Sequence, residues 1–235
     1  MSAAYDLTGI MLSILAHDPA SQTLGIALAS STLAIGARCQ HLAPGRAVVA
    51  SQGFTNLRVG ALALDLIERG LTGREVIGAL QQHDRWMEYR QIAIVPADGP
   101  VEVHTGEHTT GWAGHVTAPG FACLGNGLPD GAVLQAMHAC FDQHAGQTLE
   151  QRLLASLEQG RRVLGPAAWL VSSALRVGGP AGAAPLDLRV DLAREPPAAG
   201  GCAVADLRLL CDTYRPLALV YEARSHAPHR AEAAS

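Results

Sequence analysis

Residues able to do chemistry fall in a few short segments of this chain. Gly111-Trp112-Ala113-Gly114-His115 places an imidazole near an indole, with glycines close by. His115 would supply an acid, a base or a donor near neutral pH, and the glycines let backbone approach a ligand or another strand closely. Ser51-Gln52-Gly53-Phe54-Thr55-Asn56 ends an apolar run and enters a helix. Amides such as Gln52 and Asn56 at that kind of junction suit oxyanion stabilisation or ligand orientation. Gly125-Asn126-Gly127 likewise ends a strand before a helix. Asn126 would donate to a substrate carbonyl or hold a turn with positive φ. Ser30-Ser31-Thr32 follows the second strand. No Ser lies in a G-x-S-x-G elbow, which argues against an α/β-hydrolase triad. Each segment also has a purely structural reading: a packed Trp112 with a surface His115, and turn or cap chemistry at the amides.

Other chemistry is excluded more firmly. All 17 basic residues are Arg, so Schiff-base chemistry, a Walker A loop and a Ser–Lys dyad are out of reach. His104 and His108 are four apart, but on a strand-to-loop segment where helical spacing is the wrong test, and no H-E-x-x-H occurs; no metal is expected. The five cysteines make no C-x-x-C pair, which points to free thiols in a reducing cytoplasm. No cofactor motif is present. Net charge is −4 with scattered arginines, so nucleic acid is not an expected partner. The first apolar run, Ile10 to Ala16, is too short for a signal or a membrane span.

The elements that must position these residues read as follows. Met11–Ala16 and Leu24–Ala29 form a hairpin around Asp18-Pro19, and Ala47–Ser51 is a third strand. A helix over Ala61–Ile67 stops at Gly70. Thr72 and Glu75 have capping-box spacing for a helix over Arg74–His83. Gln91–Val95 and Val101–Val103 pair around Asp98-Gly99. Thr105–Pro129 reads as short strands and loops. Helices follow over Asp130–His144 and Leu149–Gln159, with Thr148 as cap, then strands over Ala167–Val177 and Leu186–Val190. Pro196–Gly201 reads as a flexible connector and Ala203–Tyr214 as a final helix. The order is not the strict βαβα alternation of a doubly wound sheet. It suits two stacked, largely antiparallel sheets with helices outside. The expected layout is a lead-in over 1–10, one domain over 11–224 and a disordered tail over 225–235.

In shared order from Met11 to Tyr214, these segments resemble the domain-of-unknown-function family DUF1028. The resemblance rests on Leu12–Pro19, Leu24–Ser30, Ala50-Ser51-Gln52 with Asn56, Tyr89-Arg90-Gln91, His104-Thr105-Gly106, Trp112–His115, Gly125-Asn126 and Asp187–Asp191. It implies an Ntn-hydrolase-like αββα sandwich. In that superfamily a Thr, Ser or Cys at the mature N-terminus opens the first strand, and its own amine serves as base. Met11 stands where family members often carry Thr, and a thioether cannot attack a carbonyl. Thr8 and Ser2 lie upstream, and Ser13 is the nearest hydroxyl on the strand. Ser31 replaces a common Arg or Lys, and Val163–Ala168 replaces a more polar stretch.

Two functions follow as expectations. One is hydrolysis of a small amide or related C–N bond, with His115 as acid/base, Ser13 or activated water as nucleophile and Asn126 as donor. Gln52, Asn56, Trp112 and Ser30 would then bind substrate. The other is a non-catalytic small-molecule-binding or assembly protein that keeps the fold. A homodimer fits the apolar content and the resemblance.

Overall fold

Met11 to Ala16 is apolar at every position but Ser13, and all six residues are buried. A strand shows such a run only when both its faces are covered. Strand β1 (Met11–Asp18) turns Met11 and Leu15 into one core, and Leu12, Ile14 and Ala16 into another. This is the period-2 alternation of an extended chain.

The computed structural model describes residues 9–180, 185–196 and 199–226. The strands are β1, β2 (Thr23–Ser30), β3 (Gln40–Ala43), β4 (Ala47–Gly53), β5 (Arg90–Pro96), β6 (Glu102–Thr105), β7 (Trp112–Ala118), β8 (Phe121–Leu128), β9 (Ser172–Gly178) and β10 (Leu186–Val190). The helices are α1 (Ile35–Arg38), α2 (Val59–Glu68), α3 (Gly73–His83), α4 (Ala132–Gln143), α5 (Leu149–Leu164), α6 (Ala203–Tyr214) and α7 (Ala218–His226). One sheet runs β10-β9-β2-β1-β8-β7 and the other β3-β4-β5-β6. Every pairing between neighbours is antiparallel.

The two sheets stack face to face. Leu15, Ile26, Leu28 and Leu124 of the larger meet Val48, Ala50, Ala93 and Val95 of the smaller. Met137 of α4, Leu153 and Leu157 of α5, and Leu207 of α6 cover the outer face of the larger sheet. Val59 and Ala63 of α2, with Val76 and Leu80 of α3, cover Val49, Ile92 and Ile94 of the smaller. The result is the expected four-layer αββα sandwich. Both expected caps form: Thr72 exchanges bonds with Glu75, and Thr148 with Gln151.

Several element readings need correction. Thr105–Pro129 holds two full strands, β7 and β8, paired through Ala118 and Phe121. The strand read over Ala167–Val177 begins only at Ser172; the preceding apolar residues follow Gly165 and Pro166, which end α5 without a strand. α5 runs on to Leu164, beyond Gln159. Helix α1, strand β3 and helix α7 are additional. Helix α7 takes in Ser225 and His226, where a tail was expected. The rest of that tail, 227–235, and residues 1–8 with Ser2 and Thr8 lie outside the described residues, as do Pro197 and Ala198 of the connector.

Candidate active site at the end of the first strand

Strand register brings Met11 of β1 level with Ser30 of β2 and with Asn126 of β8. All three alternate into the space between the sheets. There the sandwich opens into a cavity of about 460 Å³. Gly9 and Met11 line it from the start of β1, and Ser30, Thr32, Leu33, Ile35 and Arg38 from β2 and α1. Gly53 at the end of β4, with Phe54 and Thr55 after it, faces them, as do Thr110 and Asn126. The wall at α1 is held in an unusual backbone shape. Ala34, between Leu33 and Ile35, has φ 53° and ψ 42°. That left-handed conformation costs a residue with a Cβ about 1–2 kcal/mol. Flanking bonds hold it: Ala34 N–H donates to the Asp191 carbonyl at 3.0 Å, and Ile35 N–H to Ser172 Oγ at 3.1 Å.

Behind Met11 lies a tract of buried amides. Ser13, Gln52 and Gln91 are fully buried and Asn126 nearly so. Gln91 Nε2 donates to the carbonyls of Gly114 at 2.9 Å and Gly125 at 3.0 Å, and to Thr105 Oγ1 at 3.2 Å. These acceptors fix which end of the amide is which. Gln91 Oε1 therefore accepts, from Gln52 Nε2 at 2.7 Å and Asn126 Nδ2 at 3.1 Å. Gln52 Oε1 is in turn left to accept from Ser13 Oγ at 2.6 Å. The Ser13 proton thus points at an amide oxygen, which cannot take it up as a base does. The only thiol beside the lining is Cys39, 3.3 Å from Thr55 Oγ1. Burial pushes that thiol up to about 11, so it stays protonated at neutral pH.

His115 sits at the other end of the tract. It belongs to β7, an edge strand, and is exposed. Thr105 Oγ1 accepts from Gln91 and lies 3.1 Å from His115 Nδ1. The Thr105 hydroxyl keeps its proton and a second lone pair for this contact, so it serves either ring tautomer. Desolvation by the surrounding protein lowers the imidazole pKa below its ordinary value, consistent with a neutral ring. His115 reaches the cavity only through Thr105, Gln91 and Asn126.

Two further expected residues are placed elsewhere. Asn56 turns away at the foot of α2. Its Nδ2 donates to Asp84 Oδ2 at 2.9 Å, and its Oδ1 accepts from Arg58 N–H at 3.1 Å. Arg90 Nε bonds the same Asp84 oxygen at 3.0 Å. Burial pushes the Asp84 carboxyl up, but the bonds from Arg90, Asn56 and Trp86 N–H outweigh it, so its pKa falls. Trp112 does not line the cavity. Its ring lies over Gly114, where a Cβ would come within 2.6 Å of Cη2. Gly111, at φ +63°, would bring a Cβ within 2.9 Å of Gly127 Cα. The glycines of this segment serve ring packing and strand approach.

The structure thus joins Ser13, Gln52 and Asn126 in one network and sets Ser30 and Asn126 on the cavity wall. Gln91, Thr105, Thr32, Thr55 and Arg38 were missed as site residues. Gln91 had a signal, as the one amide among the inward positions of β5, beside Ala93 and Val95. Among the described residues, no three His, Cys, Asp or Glu side chains gather as a metal site would need, and no helix is long and apolar enough to cross a membrane.

Comparison with known proteins agrees with this architecture. A crystal structure of a protein from Silicibacter pomeroyi, assigned to DUF1028, matches with a TM-score of 0.77 and 29% identity over 87% of this chain and 86% of that one. Anbu, the ancestral beta-subunit from Yersinia bercovieri, is 11% identical with a TM-score of 0.37 over 90% of this chain and 96% of its own. No curated protein matches the sequence. The family of unknown function DUF1028 matches over residues 12–199, and this chain belongs to that family.

Proposed function

We propose that this chain binds a small molecule without covalent chemistry in the cleft beside Met11, with the amide tract as a rigid floor. One observation carries the reading: the cavity's described lining offers hydroxyls, the Asn126 amide, one guanidinium and apolar side chains, with no carboxylate, imidazole or thiol. Such a wall recognises polar groups but holds no base at a reacting atom. Methyl-labelled methionine gives a direct test. Met11 lines the cleft, while Met87 and Met137 are buried in other cores. Small-molecule fragments should shift the Met11 methyl resonance in NMR spectra and leave Met87 and Met137 in place. Fragments that move only the other two, or none, would refute the reading.

Hydrolysis of a small amide or related C–N bond is the second reading. It is favoured by the cleft opening at the start of β1, where the resemblance to Ntn hydrolases puts the reacting residue. In it, Asn126 orients the carbonyl, Ser13 or water attacks and His115 is the acid/base, with Gln52 and Ser30 shaping the surroundings; Asn56 and Trp112, expected beside them, stand away from the cavity. A screen of small amides with Ser13→Ala and His115→Ala controls separates the two. Turnover lost in both variants supports hydrolysis; no turnover in the wild type leaves binding alone. A cytoplasmic setting and a homodimer belong to the same proposal. Five free cysteines support the first. Leu192, Leu209 and Leu219, all exposed, support the second, which sedimentation of the full chain tests.

A further inference from the structure

We infer that the cleft ligand is a small organic acid whose carboxylate pairs with Arg38, an inference that rests on the binding reading above. Arg38 is the one charged side chain in the cavity's described lining. It is half-buried, at the last turn of α1. Its Nη2 donates to Thr32 Oγ1 and to the Leu33 carbonyl, each at 2.8 Å. Those two bonds use both Nη2 protons and fix the plane of the guanidinium. Nε and Nη1 have no protein acceptor among the described residues, and no carboxylate there forms an ion pair with Arg38. Arg90, Arg208 and Arg176, also partly covered, are paired with Asp84, Glu158 and Asp187. A positioned, partly desolvated cation on a cavity wall, with no counter-ion among the described residues, is a site for an anion.

The surroundings select the kind of anion. A single guanidinium with half of its fork already used balances one negative charge; a phosphate, with about −1.5 to −2 at neutral pH, would leave charge uncompensated. Ser30 Oγ and Thr32 Oγ1, 2.9 Å apart, add hydroxyls beside the guanidinium. Met11, Leu33, Ile35 and Phe54 give the rest of the wall an apolar surface for an uncharged body. Asn126, on the opposite side, suits a second polar group such as an amide.

Matched acids and amides test this on the full chain. The probes are phenylacetate, hexanoate and N-acetyl-leucine, each beside its neutral carboxamide, with inorganic phosphate as a further arm. Affinity is read by titrating the Met11 methyl resonance. A charge-assisted bond makes each acid bind about ten- to a hundredfold tighter than its amide. Arg38→Gln should abolish that preference while the amides still bind, and Arg38→Lys, which keeps the charge, should keep part of it. Equal binding of acids and amides would overturn the carboxylate assignment and leave the cleft as a binding site. Phosphate displacing the acids at lower concentration would overturn the carboxylate in favour of a phosphoryl group. Absence of any Met11 shift with every probe would refute both this inference and the reading beneath it.

Discussion

Replacing Gln91 by Glu should convert the buried amide tract into a pH switch of folding. The two side chains have nearly the same shape, but the carboxyl has no Nε2 protons. An ionised oxygen there would face the carbonyl oxygens of Gly114 and Gly125 at 2.9 and 3.0 Å, with full burial removing water. The folded state must therefore keep the new carboxyl protonated. One O–H then serves one of the two carbonyls, and the remaining oxygen still accepts from Gln52 and Asn126. A fully buried carboxyl of this kind has its pKa raised by about 3–5 units.

The sign follows from linkage. The folded-state pKa lies above the unfolded one, so stability is retained below about pH 4.3 and lost as pH rises. Each pH unit across that window costs about 1.36 kcal/mol. Between pH 5.0 and 7.5 the variant should lose roughly 3.4 kcal/mol relative to wild type. That is a large part of the roughly 5–15 kcal/mol of a whole domain. Urea unfolding of both proteins at half-unit pH steps measures it. Gln91→Leu is the control, since it leaves the same carbonyls unpaired without a titrating group, and its deficit should be flat with pH. A flat deficit for Gln91→Glu as well would refute the assignment of Nε2 to the carbonyl side and, with it, the direction of every bond in the tract.

Other outcomes follow from single contacts. Gly114→Ala puts a Cβ 2.6 Å from the Trp112 ring; overpacking of this kind costs about 1–3 kcal/mol, and displacement of the ring toward water should red-shift Trp112 fluorescence. His41 has its Nε2 buried without a hydrogen-bond partner. Burial first, and Arg176 second, lower its pKa, with the bond to the Arg38 carbonyl opposing them. A lowered histidine pKa means that stability falls as pH drops below about 6.5, so His41→Gln should flatten the acid side of the unfolding midpoint against pH. Ala34→Gly relieves a left-handed strain of about 1–2 kcal/mol and gives back about 0.4–1 kcal/mol in unfolded-chain entropy. Its melting temperature should hold or rise, and a clear fall would show that the methyl group packs usefully.

What could be read in the sequence depended on length and on which faces are covered. β1, β2, β4 and β5 are legible because two-sided burial makes them continuous apolar runs. α3 and α5 are legible because a capping box opens a 3.6-residue pattern. α1 and β3 have four residues each, too few to show any period, and with α1 went Arg38. α7 follows Pro216 and carries no clean apolar stripe, so its sequence resembles a tail. The inward direction of Gln52 and Asn126 follows from alternation alone. Asn56 lies past the end of its strand, where alternation no longer fixes direction, and its real partner, Asp84, is 28 residues away. His115 does alternate inward, opposite Leu124. It lies outside the cavity because β7 is the edge of its sheet, and strand order is a tertiary fact that local spacing does not carry.

The polar tract is the feature that stability alone does not account for. Four buried amides and hydroxyls in an inter-sheet core gain little over apolar residues of the same shape, and breaking one leaves costly orphans. The rest of that core is apolar, so the tract is local to the end of β1 where the cavity opens. Its bonds all run inward: Ser13 to Gln52, Gln52 to Gln91, Asn126 to Gln91, Gln91 to strand carbonyls. A catalytic floor would aim a lone pair or a proton outward at the substrate. This one commits its proton donors to the interior and thereby locks the positions of β1, β4, β5 and β8 around the cleft. What remains to meet a ligand is shape, the wall hydroxyls, Asn126 and the Arg38 charge. A pocket whose described wall carries one cation and no carboxylate fits recognition of an acid better than attack on an amide, and the missing hydroxyl at Met11 is then in keeping with the rest of that wall.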